Sequence, residues 1–158
     1  TVSKTFPKTH KRAGEQTYFI DKILKRYSDF NNFLGWQKIH TIRANYDLWK
    51  KRIDQINEGK AVLSLRYWTG SPYNYQRDGS KQKEFLQLKK GECGIQKLGF
   101  SSGKFIYPYI ENDAIMPGGL NDALAKNDGL TYDDFEDWFK EYNLHEPMAI
   151  IHFTDFRY

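Results

Sequence analysis

The sequence predicts a mixed α+β fold, in which five or six strands form a small β-barrel and helices are inserted between them. Short strand-like segments are spread along the chain, and amphipathic segments of helical spacing separate them. Aromatic residues make up 16% of the 158 residues, and each buries a large apolar area. A chain of this length therefore builds one compact core without disulfide support.

Residues 1–34 are predicted to be a basic N-terminal arm followed by a short helix. Pro7 and Gly14 punctuate a polar opening, which favours an extended chain. Apolar side chains then recur at helical spacing over 17–27. Residues 35–158 are expected to form the barrel, and the whole chain is expected to be a single compact domain.

The middle of the chain predicts a helix and then a β-hairpin. Asn45 stands at the N-cap of the helix predicted over 45–58, and Gly59 stands just past its end. Residues 60–68 alternate as a strand whose odd-numbered side chains face the core. A polar loop joins this strand to a return strand at 83–88.

The last third of the chain predicts two strands, two helices and a closing strand. Strands are expected over 93–100 and 104–110, and Pro108 confines the second to an edge or a bulge. A short helix is expected within 118–129. A better helix is expected over 131–143, with Thr131 and Asp134 as a capping pair and an aromatic stripe facing the core. The apolar run at 148–156 predicts a buried final strand.

Positive charge is concentrated toward the start of the chain. Residues 1–26 hold seven Lys/Arg against two acids, and residues 36–90 hold twelve against five. Residues 119–144 hold two against seven. Such a field suits phosphate backbones, although two oppositely charged solvated faces of one domain would give the same pattern.

Several classes of chemistry are disfavoured by composition and spacing. Cys93 is the single cysteine, so no intramolecular disulfide forms, and a reducing, cytoplasmic setting is expected. The sequence contains no run of 18 apolar residues, so no membrane span is predicted. The four histidines are scattered, so neither a metal nor another cofactor is expected. The phosphate-loop and nucleophile-elbow spacings are both absent.

The stretch "KIHTIR", residues 38–43, groups polar side chains of several types. In one regular strand, Lys38 and Thr41 would face opposite sides. They share a site only if Lys38 sits in a turn before the strand, which Gly35 permits. The alternative interpretation has Lys38 and His40 facing water and Arg43 paired with a carboxylate.

The hairpin interleaves basic and aromatic side chains on its non-core face and along its tip. Those residues are Arg66, Trp68, Tyr73, Tyr75, Arg77, Lys81 and Lys83. Cations for phosphates beside flat rings for bases are what single-stranded nucleic-acid binding needs. Alternatively, Trp68 covers an end of the barrel and the tyrosines hold the loop.

In order and spacing, "KIHTIR", the following helix, the strand after Gly59 and "LAKNDGLTYDDFEDWF" resemble the ASCH family of the PUA-like superfamily, over about residues 35–156. The resemblance implies a PUA-like mixed β-barrel whose cleft receives a nucleobase or nucleic acid. The chain is also similar to bacterial amidohydrolases that deacetylate N4-acetylcytidine. By that similarity Lys38, Thr41 and Asp128 correspond to catalytic residues, with Asp128 in place of the family's Glu.

Three functions are therefore predicted. The first is a module that binds RNA, another single-stranded nucleic acid or a modified nucleoside. Its ligand-binding residues would be Lys38, His40, Thr41, Arg43, Arg66, Trp68, Tyr73, Lys81 and Lys83. The second is an amidohydrolase acting on N4-acylated cytidine, with Thr41 as nucleophile, Lys38 as base or oxyanion partner and Asp128 as acid/base. The third is a protein-interaction module whose basic arm docks on an acidic partner.

Overall fold

The computed structural model describes residues 1–25, 37–101, 108–111 and 119–158. Helices and strands are interspersed along these ranges. In chain order they are α1 (Phe19–Leu24), β1 (His40–Ala44), α2 (Tyr46–Asn57), β2 (Leu63–Trp68), α3 (Tyr75–Asp78), β3 (Gln82–Leu88), β4 (Gly94–Phe100), β5 (Pro108–Ile110), α4 (Leu120–Asn127), α5 (Tyr132–Phe139) and β6 (Met148–His152).

The strands form two antiparallel sheets, so the predicted mixed α+β class is confirmed. One sheet has four strands in the order β1-β6-β4-β5, and the other is the hairpin β2-β3. The predicted closed barrel is not found among the described residues, because β2 and β3 pair with each other there and not with the larger sheet. Alternation along a strand predicts which face is buried, but it does not predict which strands pair.

The final strand is the centre of the large sheet. β6 pairs with β1 on one side and with β4 on the other, and all five of its residues are buried. A continuous apolar run is what a strand covered on both faces requires. The predicted buried closing strand is confirmed over Met148–His152 but ends four residues earlier than expected, and β5 lies at the sheet edge, as Pro108 required. The part of that predicted strand before Pro108 lies outside the described residues.

The helix ends follow local capping chemistry. The Asn45 side chain accepts a hydrogen bond from the backbone N–H of Leu48 at 3.0 Å, at the start of α2. Thr131 Oγ1 accepts from the N–H of Asp134 at 3.1 Å, at the start of α5. Both predicted N-caps are confirmed. α5 ends at Phe139, earlier than expected, and the predicted end of the first helix falls partly on residues outside the described ranges.

The N-terminal arm folds back on itself and joins the core, so the expectation of an extended arm is wrong. Thr5 forms a β-bridge with Gln16, and the N–H of Phe6 donates to the carbonyl of Glu15 at 2.9 Å. Val2 and Phe6 are buried in the same hydrophobic cluster as β6. Phe6 also lies 5.7 Å from the ring of Trp138 in α5. The arm is therefore part of the wall around the site described below.

No helix in the described part of the chain is long and apolar enough to cross a membrane.

Candidate functional site

The site begins where the chain enters β1. Lys38 precedes the strand and forms an isolated β-bridge with Asp128, the C-cap residue of α4. The N–H of Ile39 donates to the carbonyl of Asn127 at 2.9 Å, which fixes the end of α4 against this segment. Lys38 thus lies before β1, and the alternation of side chains along the strand does not apply to it. This is the condition under which Lys38 and Thr41 can share a site. Gly35 itself lies outside the described residues.

Lys38 and Asp128 form a buried ion pair. Lys38 Nζ lies 2.5 Å from Asp128 Oδ1 and 2.7 Å from the Asp128 carbonyl oxygen, and each residue is 4% exposed. The ring centroid of Phe19 lies 4.2 Å from the same ammonium group. The alternative interpretation that Lys38 faces water is wrong, because Lys38 is buried and its ammonium group donates two hydrogen bonds to Asp128.

Burial and charge compete in setting the ionisation of this pair. Burial lowers the pKa of Lys38 to about 8, against the opposing attraction of Asp128. Burial alone would raise the pKa of Asp128, but the charge of Lys38 and the hydrogen bonds to the carboxylate lower it. Near neutral pH the pair is charged, and Lys38 loses its proton more easily than an exposed lysine does.

A cleft of about 360 Å³ opens beside the ion pair, between the arm, β1, the hairpin tip and α5. Six residues predicted from the sequence line it: Lys38, Thr41, Arg43, Trp68, Tyr73 and Asp128. Arg43 donates from Nη2 to the carbonyl oxygen of Thr1 at 2.7 Å. The predicted catalytic side chains and two of the predicted rings therefore share one cavity.

The remaining predicted residues lie elsewhere. Arg66, Lys81 and Lys83 are exposed on the hairpin outside the cleft, and Arg66 lies 3.7 Å from the carboxylate of Glu84. His40 is fully buried behind Asp128 and does not line the cleft. Neither orientation predicted for His40, toward a ligand or toward water, matches this position.

Some residues that line the cleft were not predicted from the sequence to do so. Trp138 and Tyr142 belong to the aromatic stripe that was assigned wholly to the core, yet both line the cleft, whereas Phe135 is fully buried. Phe19 of α1 is a further lining residue. The sequence pattern did not separate these rings from the core, because the predicted helix ran to 143 and included Tyr142, whereas α5 ends at Phe139.

The described structure defines a mixed α+β protein with a polar cleft walled by aromatic rings. Among its described residues, no group of three or more histidine, cysteine, aspartate or glutamate side chains is placed to hold a metal ion. Comparison of the chain with protein-family models, with curated proteins and with solved structures gives no match. The ASCH resemblance therefore stays a proposal that rests on the sequence motifs.

Proposed function

We propose that the cleft binds a nucleobase, presented by single-stranded RNA, another single-stranded nucleic acid or a modified nucleoside. One observation carries the proposal: hydrogen-bonding groups of Lys38, Thr41, Arg43 and Asp128 line the same cavity as the ring of Trp68. Recognition of an unpaired base needs donors and acceptors for its edge and a flat surface for its face. A volume of about 360 Å³ lies within the range of small-ligand sites.

Tyr73 supports a ligand that extends out of the cleft. Its side chain lines the cleft mouth and is 89% exposed, and its ring lies 5.1 Å from that of Trp68. Its φ of 60° is in the left-handed region, which is unusual for a residue other than glycine. Each base stacked on such a ring contributes about 1–3 kcal/mol to binding.

The basic side chains of the hairpin fit the phosphates of such a strand. Arg66, Lys81 and Lys83 are all exposed outside the cavity that Trp68 and Tyr73 line. Contacts to phosphate add affinity without reading the base, and they weaken as salt rises. A PUA-like assignment and a cytoplasmic setting, both predicted from the sequence, belong to this proposal.

The binding test compares two exposed tyrosines of the hairpin tip. Tyr73→Ala is expected to weaken binding of a fluorescent single-stranded RNA by about 5- to 150-fold, the equivalent of one stacked base. Tyr75→Ala is the control, because Tyr75 is 61% exposed but does not line the cleft. Titration by fluorescence anisotropy measures both. Equal effects of the two variants, or absence of RNA and nucleoside binding by the wild type, would reject the proposal.

A second candidate function is hydrolysis of an N4-acylated cytidine. The observation that favours it is a lysine with a lowered pKa, paired with Asp128, in the cavity that Thr41 lines. The Thr41 hydroxyl would attack the amide carbonyl and lose its proton to neutral Lys38. Lys38 would pass that proton to the leaving amine, and water would then hydrolyse the threonine ester to release the acid.

The turnover test separates this candidate from simple binding. Thr41→Val keeps the shape of the side chain and removes the nucleophile, so it is expected to abolish release of cytidine from N4-acetylcytidine while binding persists. Thr9→Val removes another hydroxyl that lines the cleft and is expected to leave turnover unchanged. Chromatographic product analysis measures both. If the wild type has no turnover, the amidohydrolase candidate is rejected and the binding module stands.

The predicted interaction module finds less support in the geometry. Its basic arm was expected to meet an acidic partner, yet Arg12 Nη1 lies 2.7 Å from Asp134 Oδ2 and Lys11 Nζ lies 3.8 Å from Asp134 Oδ1. These two cations of the arm are therefore paired within the chain.

A further inference from the structure

A chain of hydrogen-bonding groups leads from the back of the site to Asp128. Asn127 Nδ2 donates to the hydroxyl oxygen of Tyr158 at 2.9 Å, and that hydroxyl lies 2.7 Å from Nε2 of His40. On the other side of the same ring, His40 Nδ1 makes no hydrogen bond within the described structure, but it lies 3.6 Å from Asp128 Oδ1, the oxygen that Lys38 contacts. His40 is fully buried, so these neighbours decide where its ring carries a proton.

The contacts select one tautomer of His40. The Tyr158 hydroxyl accepts from Asn127, and its own proton has two acceptors in reach: His40 Nε2 at 2.7 Å and the Ala123 carbonyl at 3.3 Å. The shorter contact places the tyrosine proton on the side of Nε2, which leaves the ring proton on Nδ1, facing Asp128. Burial raises the pKa of Tyr158 and lowers the pKa of His40, so the tyrosine keeps its proton and the imidazole is neutral.

We infer that His40 is a positioning residue for the Lys38–Asp128 pair, acting through an Nδ1–H that faces the carboxylate and a tautomer that Tyr158 sets. The inference rests on the proposed function of the cleft, in which Lys38 turns to a ligand or gives up a proton. At that moment the buried carboxylate loses its charged partner. An uncharged N–H that faces the same carboxylate oxygen then favours the ionised form and its orientation, which lets Lys38 leave and return.

Other charged groups near the pair do not replace this donor. Lys22 of α1 donates from Nζ to the carbonyl oxygen of Gly129, and Arg43 of β1 donates to the carbonyl oxygen of Thr1. Both lower the pKa of Lys38 through their charge. His152 packs edge-on against His40, with ring centroids 5.8 Å apart. Of these groups, only His40 presents a ring nitrogen to Asp128 Oδ1, the oxygen that Lys38 also contacts.

The first test reads the tautomer directly by nitrogen NMR of histidine-labelled wild-type protein. We expect His40 as a neutral ring with its proton on Nδ1. In Tyr158→Phe, Nε2 of His40 no longer accepts a hydrogen bond from the tyrosine hydroxyl, and we expect a mixture of the two tautomers. An Nε2–H ring in the wild type would overturn the inference without any variant.

The second test measures the ionisation of Lys38 by carbon NMR of lysine-labelled protein across a pH titration. In Tyr158→Phe, a ring with its proton on Nε2 turns a lone pair toward Asp128 Oδ1, so the carboxylate loses the attraction of the Nδ1–H and depends more on the charge of Lys38. The midpoint of the Lys38 titration is expected to rise by about half a pH unit. Tyr142→Phe, which removes a hydroxyl from the cleft wall, is expected to leave it in place. An unchanged midpoint in Tyr158→Phe would overturn the inference.

A matched pair at His40 supports the same test. The amide of His40→Asn lies near the position of Nδ1, whereas that of His40→Gln lies near the position of Nε2. The asparagine variant is expected to keep the Lys38 midpoint close to that of the wild type, and the glutamine variant is expected to raise it. The reverse order would contradict a donor at Nδ1. None of these measurements uses a ligand, so their outcome is independent of whether the cleft binds a nucleobase.

Discussion

At the scale of single residues, His152 links burial to acid stability. It is fully buried, and neither ring nitrogen finds a hydrogen-bond partner within the described structure. Burial lowers its pKa from 6.5 to about 3. Between these two pKa values the unfolded chain binds a proton on His152 and the folded chain does not. The free energy of unfolding is therefore highest above about pH 6.5 and falls as the pH decreases toward 3.

His152→Phe is expected to make that acid loss shallower. One proton taken up only by the unfolded chain costs about 1.4 kcal/mol of unfolding free energy per pH unit. The variant removes this contribution, and the lowered pKa of His40 leaves a loss of the same sign. Urea unfolding at several pH values between about 4 and 7 measures the slope. His145→Gln, at an exposed histidine, should behave as the wild type does, and a His152→Phe slope equal to wild type would refute the argument.

How far single residues could be predicted depends on how local their cause is. Lys38, Thr41 and Asp128 were selected by their motif, and all three line the cleft. His40 was placed at the ligand by the same short stretch, but its environment is set by Tyr158, 118 positions later. Tyr158 carries no motif of its own, and a contact between such distant residues cannot be obtained from spacing along the chain.

At the scale of elements, the turn between α4 and α5 determines where Lys38 can lie. Gly129 has a φ of +78°, and a Cβ at this position would lie 3.1 Å from Cβ of Lys38 and 3.3 Å from Cδ of Lys22. Glycine is thus favoured twice here, by the backbone conformation and by the close approach of two side chains. The sequence predicted that one helix ends and the next begins near Gly129, but not that Lys38 and Lys22 pack against it.

Gly129→Ala is expected to destabilise the fold and to disturb Lys38. The left-handed backbone costs an alanine about 1 kcal/mol, and the contact with Lys38 adds to that cost. Gly59→Ala is the control, because Gly59 has a φ of +76° and no described atom within 4 Å of such a Cβ. Thermal unfolding should show the larger loss for Gly129→Ala, and NMR titration of Lys38 should change in that variant alone. Equal losses with an unchanged Lys38 would contradict the close packing.

Elements also show why caps were easier to predict than sheets. The Asn45 and Thr131 caps involve donors three residues away, which a sequence pattern contains in full. The pairing of β6 with both β1 and β4 joins segments that are about 50 to 110 positions apart, and no local pattern specifies it. The expected barrel pairing is therefore not found among the described residues, although the predicted strands after 60 overlap the observed ones; the last of them ends at His152 and not at 156.

At the scale of the whole molecule, the arm and the rest of the chain act as one unit. His10 is buried, and its Nε2 lies 3.0 Å from the carbonyl oxygen of Asp134. The N–H of Lys11 donates to Asp137 at 2.7 Å, and Arg12 pairs with the buried Asp134. These contacts hold the arm against α5, and the cleft lies between the two. Unfolding of the arm is therefore expected to coincide with unfolding of the core in a single transition.

Asp134→Ala tests this coupling between the arm, α5 and the cleft. Removing a buried carboxylate that accepts from Arg12 is expected to cost about 1–3 kcal/mol of unfolding free energy. Because the arm is then held less firmly, the backbone N–H groups of Phe6 and Thr17 should exchange with deuterium faster than those of α2. Asp133→Ala removes an exposed acid from the same helix turn and should change neither quantity. If Asp134→Ala leaves exchange in the arm unchanged, the arm is held by its apolar contacts of Phe6 and Val2, and the ion pair contributes little.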